Sequence, residues 1–132
     1  MFSHDQLTRF VPAGMPAAER LDDSGATFAT TRLLEECITA CEALAEQLGP
    51  DPGVIWMQDL VAECIAACVG YHAATMRGSR YTSRYAMFAG ELCGETAKAC
   101  APRADLASKF CEVLCRACEN LVREESAAAL AN

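Results

Sequence analysis

The chain is 132 residues long, the size of one ordinary domain with no room for a second. At 52% hydrophobic and 22% charged it is globular and not a disordered tail, and 7% aromatics beside abundant alanine favour packed helices over a sheet. A formal net charge of -7 argues against gripping nucleic acid or an anionic membrane face, and no run approaches 18 apolar residues without a charge, so no transmembrane span is expected.

Residues 1–25 carry Pro12, Gly14, Pro16 and Gly25 and show no period, so they read as a loosely ordered N-terminal arm or a short docked helix. Met1 to Phe10 lack the apolar core of a signal peptide, and a cytosolic chain is expected. Residues 26–132 divide into four helical stretches. The first runs from about Thr27 to Leu48 and is stopped by Gly49-Pro50. The second is announced by Asp51-Pro52, Asp as cap and Pro at the first helical position, and runs to about Arg77 before Gly78. Ser79 can cap the third, which spans about Arg80 to Ala101 and stops before Pro102. The fourth begins near Asp105 and frays through the alanines after Ser126. Connections this short make successive helices antiparallel neighbours, so the predicted fold is all-α, an up-down-up-down four-helix bundle roughly 33 Å long.

Steps of three and four residues mark one inward seam on each helix. These are Leu34, Cys37, Cys41, Leu44 and Leu48 on the first, and Met57, Val61, Cys64, Cys68, Tyr71 and Thr75 on the second. The third presents Ala86, Ala89, Cys93, Thr96 and Cys100, and the fourth Ser108, Cys111, Cys115, Cys118 and Val122. All nine cysteines fall on these seams.

Four uses of inward thiols can be weighed. Cysteine as core packing is common for one or two residues, but Val, Ala or Leu would fill the same space without the oxidation hazard. Disulfides within a helix are poorly placed, because residues four apart hold their Cβ atoms about 5–6 Å apart and a disulfide wants about 3.8 Å; bonds between helices remain conceivable. Zinc wants four ligands at tetrahedral angles, and a four-thiolate site would place a net negative charge in an apolar core with no Lys or Arg on a seam to offset it. Cu(I) accepts two soft thiolates in a line, which two thiols at i and i+4 can supply, and one cation per lost proton leaves the core neutral. Several Cu(I) ions per chain are then expected, with nine as an upper bound.

Paired Cys-x-x-x-Cys on successive helices, the Met76-Arg77-Gly78-Ser79 turn, and Cys111-Glu-Val-Leu-Cys115-Arg-Ala-Cys118 resemble the bacterial copper storage proteins over about residues 27–125. The resemblance implies a four-helix bundle holding Cu(I) on thiolates, of the cytosolic branch, with bundles assembled as homotetramers. Cys37, Cys41, Cys64, Cys68, Cys93, Cys100, Cys111, Cys115 and Cys118 are the candidate ligands, with Met57 on the seam as a thioether met first by an incoming ion. Ala86, Ala89, Thr96 and Val122 stand where that family often has cysteine, and nine is fewer than its members usually carry.

The antiparallel order puts Cys41, Cys100 and Cys111 towards the end with the 49–52 and 102–104 loops. The opposite end is expected to be lined by Thr30, Tyr71, Thr75, Tyr81, Tyr85 and Phe88, an aromatic plug. His72 beside the second seam and His4 in the arm are weaker metal candidates. Trp56, Ile38, Leu60 and Ile65 lie off the strict seam, where they widen the core or join bundles, and Glu35-Glu36, Glu124-Glu125 and the arginines are expected on solvated faces. No Gly-x-Ser-x-Gly, His-Glu-x-x-His or phosphate loop is present, and neither histidine is placed next to a seam cysteine as a base, so no enzymatic turnover is expected. A cytosolic thiol redox buffer or sensor, a zinc-binding bundle and a bundle packed with cysteine are the alternatives to copper storage.

Overall fold

The computed structural model describes the backbone over residues 17–131, and side chains over 28–125 and at Ala127. Among the described residues four α-helices make up the fold: α1 (Ala17–Leu48), α2 (Ile55–Met76), α3 (Thr82–Cys100) and α4 (Leu106–Ala131). Helix α1 packs on α2 and α4, and α3 packs on the same two, so the four close into a ring around one core. The predicted all-α bundle is the observed one. Helix α1 begins earlier than the expected Thr27 and carries helical backbone through Gly25. Pro12, Gly14, Pro16 and His4 lie outside the described residues.

The expected boundaries have visible causes. Gly49 and Gly78 end α1 and α2 at φ 62° and 64°, the left-handed region that other residues avoid. At Gly78 the amides of Gly78 and Ser79 turn back to the carbonyls of Thr75 (3.2 Å) and Ala74 (2.9 Å), which satisfies two of the carbonyls a helix end leaves open. Asp51 accepts from the Gly53 amide at 2.9 Å, and Pro52 opens a 3-10 turn, Pro52–Val54, before α2. Asp105 caps α4 by accepting from the Ser108 amide at 3.0 Å and the Ser108 hydroxyl at 2.9 Å. That amide, with Arg103 nearby, holds the Asp105 carboxyl below its ordinary value.

Every seam position is buried except Thr75, which is half-buried. The core therefore follows the three-four stepping of the sequence. Ile38 and Ile65 pack against it from the flanks, whereas Trp56 stays 60% exposed.

Helix α2 differs from the others in being apolar on both sides. With the 3-10 turn it forms the one span, among the described residues, long and apolar enough to cross a membrane, contrary to expectation because Asp59 and Glu63 interrupt its apolar run. One side carries Cys64 and Cys68 into the core. The other leaves Ile55, Ala62, Ala66, Val69, Ala73 and Met76 exposed, with Asp59 on the same stripe between Ile55 and Ala62.

The expected aromatic plug is not what closes the end near the 77–79 turn. Tyr81, Tyr85 and Phe88 are 44%, 38% and 50% exposed. Tyr81 lies under the guanidinium groups of Arg80 and Arg84, and Tyr85 packs over Gly70 and pairs with Arg77, contacts a ring makes on the outside of a bundle. Tyr71 and Thr30 are buried there and both donate to Glu125, Tyr71 Oη at 2.8 Å. Glu125, expected on a solvated face, is therefore a partly buried acceptor. Burial, followed by the bond to this carboxylate, pushes the Tyr71 phenol up.

Candidate metal centre

All nine cysteines are free thiols, and each is at most 1% exposed. Their placement follows from helix geometry. Residues three or four apart share a face, so each seam delivers its thiols to the same axial line. Antiparallel packing then interleaves the four lines into one column. Cys68 Sγ lies 3.6 Å from Cys93 Sγ, and Cys93 lies 3.8 Å from Cys64 and 4.0 Å from Cys37. Cys37 lies 3.6 Å from Cys115, Cys115 lies 3.8 Å from both Cys41 and Cys111, and Cys41 lies 3.7 Å from Cys111. These contacts are too long for disulfides, whose sulfurs sit about 2.05 Å apart, and short enough for one ion to span.

Three groups have mutual sulfur distances within 4.8 Å: Cys37, Cys68, Cys93 and Cys118; Cys37, Cys41 and Cys115; and Cys64, Cys93 and Cys115. The first takes one thiol from each helix. The shared members, Cys37, Cys93 and Cys115, make the groups continuous. Cys100 and Cys111 extend the column towards the 102–104 loop, as expected.

The thiols solvate one another, because no stronger donor reaches them. The S–H groups of Cys115, then Cys118, Cys41 and Cys64, pull the Cys37 thiol down despite its burial. Cys100, then Cys115 and Cys41, do the same for Cys111. Their partners are pushed the other way: Cys68 by Cys118, Cys37, Cys64 and Cys93, then by burial; Cys41 by Cys111 first; and Cys100 by Cys111, then by burial. The physical content is that a first thiolate is held by its neighbours' S–H groups, and the remaining thiols then keep their protons more tightly. The buried polar residues among those described are Thr30, Thr96, Ser108 and Glu119, so no Lys, Arg or His is buried to balance an anionic core. A cation is the group that would balance it.

Met57 is 1% exposed and on the seam, two turns and about 10 Å along the axis before Cys64. It belongs to the one buried cluster that also holds Leu44, Leu48, Val61 and the nine thiols. His72 stays off the thiol column; its Nε2 lies 3.4 Å from Glu35 Oε1. Two features escaped the seam reading. Glu119 is 6% exposed, held by Arg123 at 2.8 Å and Arg116 at 3.6 Å, and tucked against Gly94, where a Cβ would lie 2.2 Å from its Oε2. The close pairing of Gly90 and Gly94 one turn apart was its signal in the sequence. The second is the unpaired hydroxyl of Thr96, visible only with the hydrogen bonds in view.

Buried cysteine groups of this kind can hold metal ions, and the thiols alone do not say which ion. No family model, curated protein or solved structure matches the chain.

Proposed function

We propose that this chain binds and stores Cu(I) on the thiolates inside its bundle, a holding function without turnover. The observation that supports it best is the continuity of the column: sulfurs 3.6–4.0 Å apart run through several layers instead of converging on one centre. Two bonds of about 2.3 Å in a line put sulfurs about 4.6 Å apart, so neighbouring thiols need to spread by only about 0.6–1 Å to grip an ion between them. Each ion replaces a proton, and the core stays close to neutral as it fills. A reducing compartment such as the cytosol keeps such thiols free.

The resemblance to copper storage proteins, carried by the residues quoted above, supports the same reading and adds assembly into tetramers. The exposed apolar side of α2, Ile55, Ala62, Ala66, Val69, Ala73 and Met76, is the surface that would join copies. Met57 stands at the loop end of the seam as the thioether an incoming ion meets first.

The test is an anaerobic titration of reduced protein with Cu(I) against a competing chelator. Several equivalents bind, with thiolate-to-copper absorption rising until the thiols are consumed. Saturation at one equivalent or fewer overturns the reading. A second reading has its own observation: Cys37, Cys68, Cys93 and Cys118 come from four helices and lie within 4.8 Å of one another, a tetrahedral set for a single zinc. That site would carry a net charge of about -2 with no buried cation beside it. Zinc binding at one equivalent that Cu(I) fails to displace would establish it. A redox sensor fits less well, because thiols at most 1% exposed meet oxidants slowly.

A further inference from the structure

Thr96 is wholly buried, and its hydroxyl has no hydrogen-bond partner among the described residues. A helical threonine has an easy way to avoid this, by donating to the carbonyl four residues back. Among the described residues two threonines do so: Thr39 to Glu35 O and Thr75 to Tyr71 O, each at 3.0 Å. Thr96 does not. Valine has the same shape and would leave no polar atom unpaired, so packing alone gives no reason for the hydroxyl.

Its place in the bundle supplies one. Thr96 lies on the α3 seam, three residues after Cys93 and four before Cys100. Cys93 is level with Cys68 and Cys64 of the antiparallel α2, and one turn further along α3 moves from the level of Cys68 to that of Cys64. At that level α1, α2 and α4 each supply a thiol. Cys41 is 4.0 Å from Cys64 and 3.8 Å from Cys115, and Cys64 and Cys115 lie within 4.8 Å. The adjoining layer takes one thiol from every helix, Cys37, Cys68, Cys93 and Cys118. The Cys41 layer takes three thiols, and α3 crosses that level at Thr96, whose hydroxyl makes no hydrogen bond to any of them in the empty protein.

We propose that the Thr96 hydroxyl is a positioning donor for the loaded state: it hydrogen-bonds to a thiolate of the Cys41–Cys64–Cys115 layer once metal has displaced the thiol protons. A neutral S–H is a weak acceptor, and in the empty protein the hydroxyl engages none of the thiols. A thiolate is a charged acceptor, and the bond it accepts is correspondingly stronger. In this exchange each thiol proton leaves to solvent as its sulfur takes metal, while the hydroxyl keeps its proton and turns it onto sulfur. While the layer is only partly loaded it can then hold a thiolate beyond the charge of the ions it shares. Thr96 is thus not a metal ligand but the neutral group that offsets excess negative charge where no Lys or Arg is buried.

The inference rests on the Cu(I) reading, and the experiment separates the two. Wild type, Thr96→Val and Thr96→Ser are compared by thermal melting without metal and by Cu(I) affinity against a chelator. Thr96→Val is expected to melt at or above the wild type when empty, because an unpaired hydroxyl has gone. Its Cu(I) affinity for the tightest equivalents is expected to fall by roughly tenfold to a hundredfold, the worth of a bond to a charged group. Thr96→Ser restores the affinity. A Thr96→Val protein that binds Cu(I) as tightly as the wild type overturns the role of Thr96 and leaves storage intact, as does failure of serine to restore the affinity. A wild type that takes one Cu(I) or fewer overturns the storage reading itself, and this inference with it.

Discussion

The two ends of the bundle core solve the problem of buried polar atoms in opposite ways. Near the 77–79 turn, Tyr71 and Thr30 both donate to Glu125, and each hydroxyl has its partner. Along the thiol column the partners are other thiols, 3.6–4.0 Å away and weak as donors, and Thr96 has none. In the first region both hydroxyls are satisfied in the empty protein. The other is held by packing and has unused bonding capacity, as a region that must exchange protons for cations requires.

The largest expected effect follows from that difference. Cu(I) that binds the folded column and not the unfolded chain contributes about 4 kcal/mol at a thousandfold excess over Kd, which raises the melting temperature by roughly 10–20 °C. Calorimetry of empty and loaded protein checks this, and an unchanged Tm would break the comparison.

Cysteines should also differ among themselves. Cys37 belongs to both the four-thiol group and the Cys41–Cys115 group, whereas Cys100 belongs to none of the three. Cys37→Ala is expected to remove more than one equivalent of Cu(I) capacity and Cys100→Ala at most one. Each truncation costs the empty protein on the order of 1–2 kcal/mol. Equal losses of capacity would show that the sites are separate.

At the other end, Tyr71→Phe removes one bond to Glu125. It is expected to lower stability by about 1 kcal/mol, read by urea denaturation, with Cu(I) capacity unchanged. A loss of capacity would mean that the two regions are coupled. Met57→Leu is expected to slow Cu(I) uptake in stopped-flow absorbance while leaving capacity alone; an unchanged rate removes Met57 from the path.

The smallest effect is in pH. Neighbouring thiols and burial push Cys68, Cys41 and Cys100 above the ordinary thiol value of 9.0, and burial pushes Tyr71 above 10.0. The unfolded chain loses these protons first, so above those values the folded state binds more protons than the unfolded. The stability these groups contribute is present in full below pH 9 and declines as pH rises beyond it. Cys37, Cys64 and Cys111 are shifted the other way, and their contribution is already complete above pH 9. The empty protein is therefore expected to melt at progressively lower temperature from pH 9 to 11, and a flat profile would contradict the upward shifts.

Much of this was legible in the residues alone. Steps of three and four picked out the seams because a helix turns every 3.6 residues, and all nine cysteines on those seams proved buried. Gly49, Gly78, Asp51 and Asp105 announced the turns through backbone preferences that act locally. The exposure of Tyr81, Tyr85 and Phe88 was not legible, because a ring one position off a seam can turn inward or lie on an arginine, and the neighbouring helix decides which. Neither was the acceptor role of Glu125, whose partners stand 95 and 54 residues away.

The sequence by itself determined which residues face inward and where each helix stops, because both depend on neighbours within a turn. Only the tertiary structure decided which thiols share a layer, that α3 crosses the Cys41 level at Thr96, and that one end of the core is closed by a satisfied carboxylate. Those facts depend on how far each helix slides along the next, and that offset is set by side chains packing across the bundle.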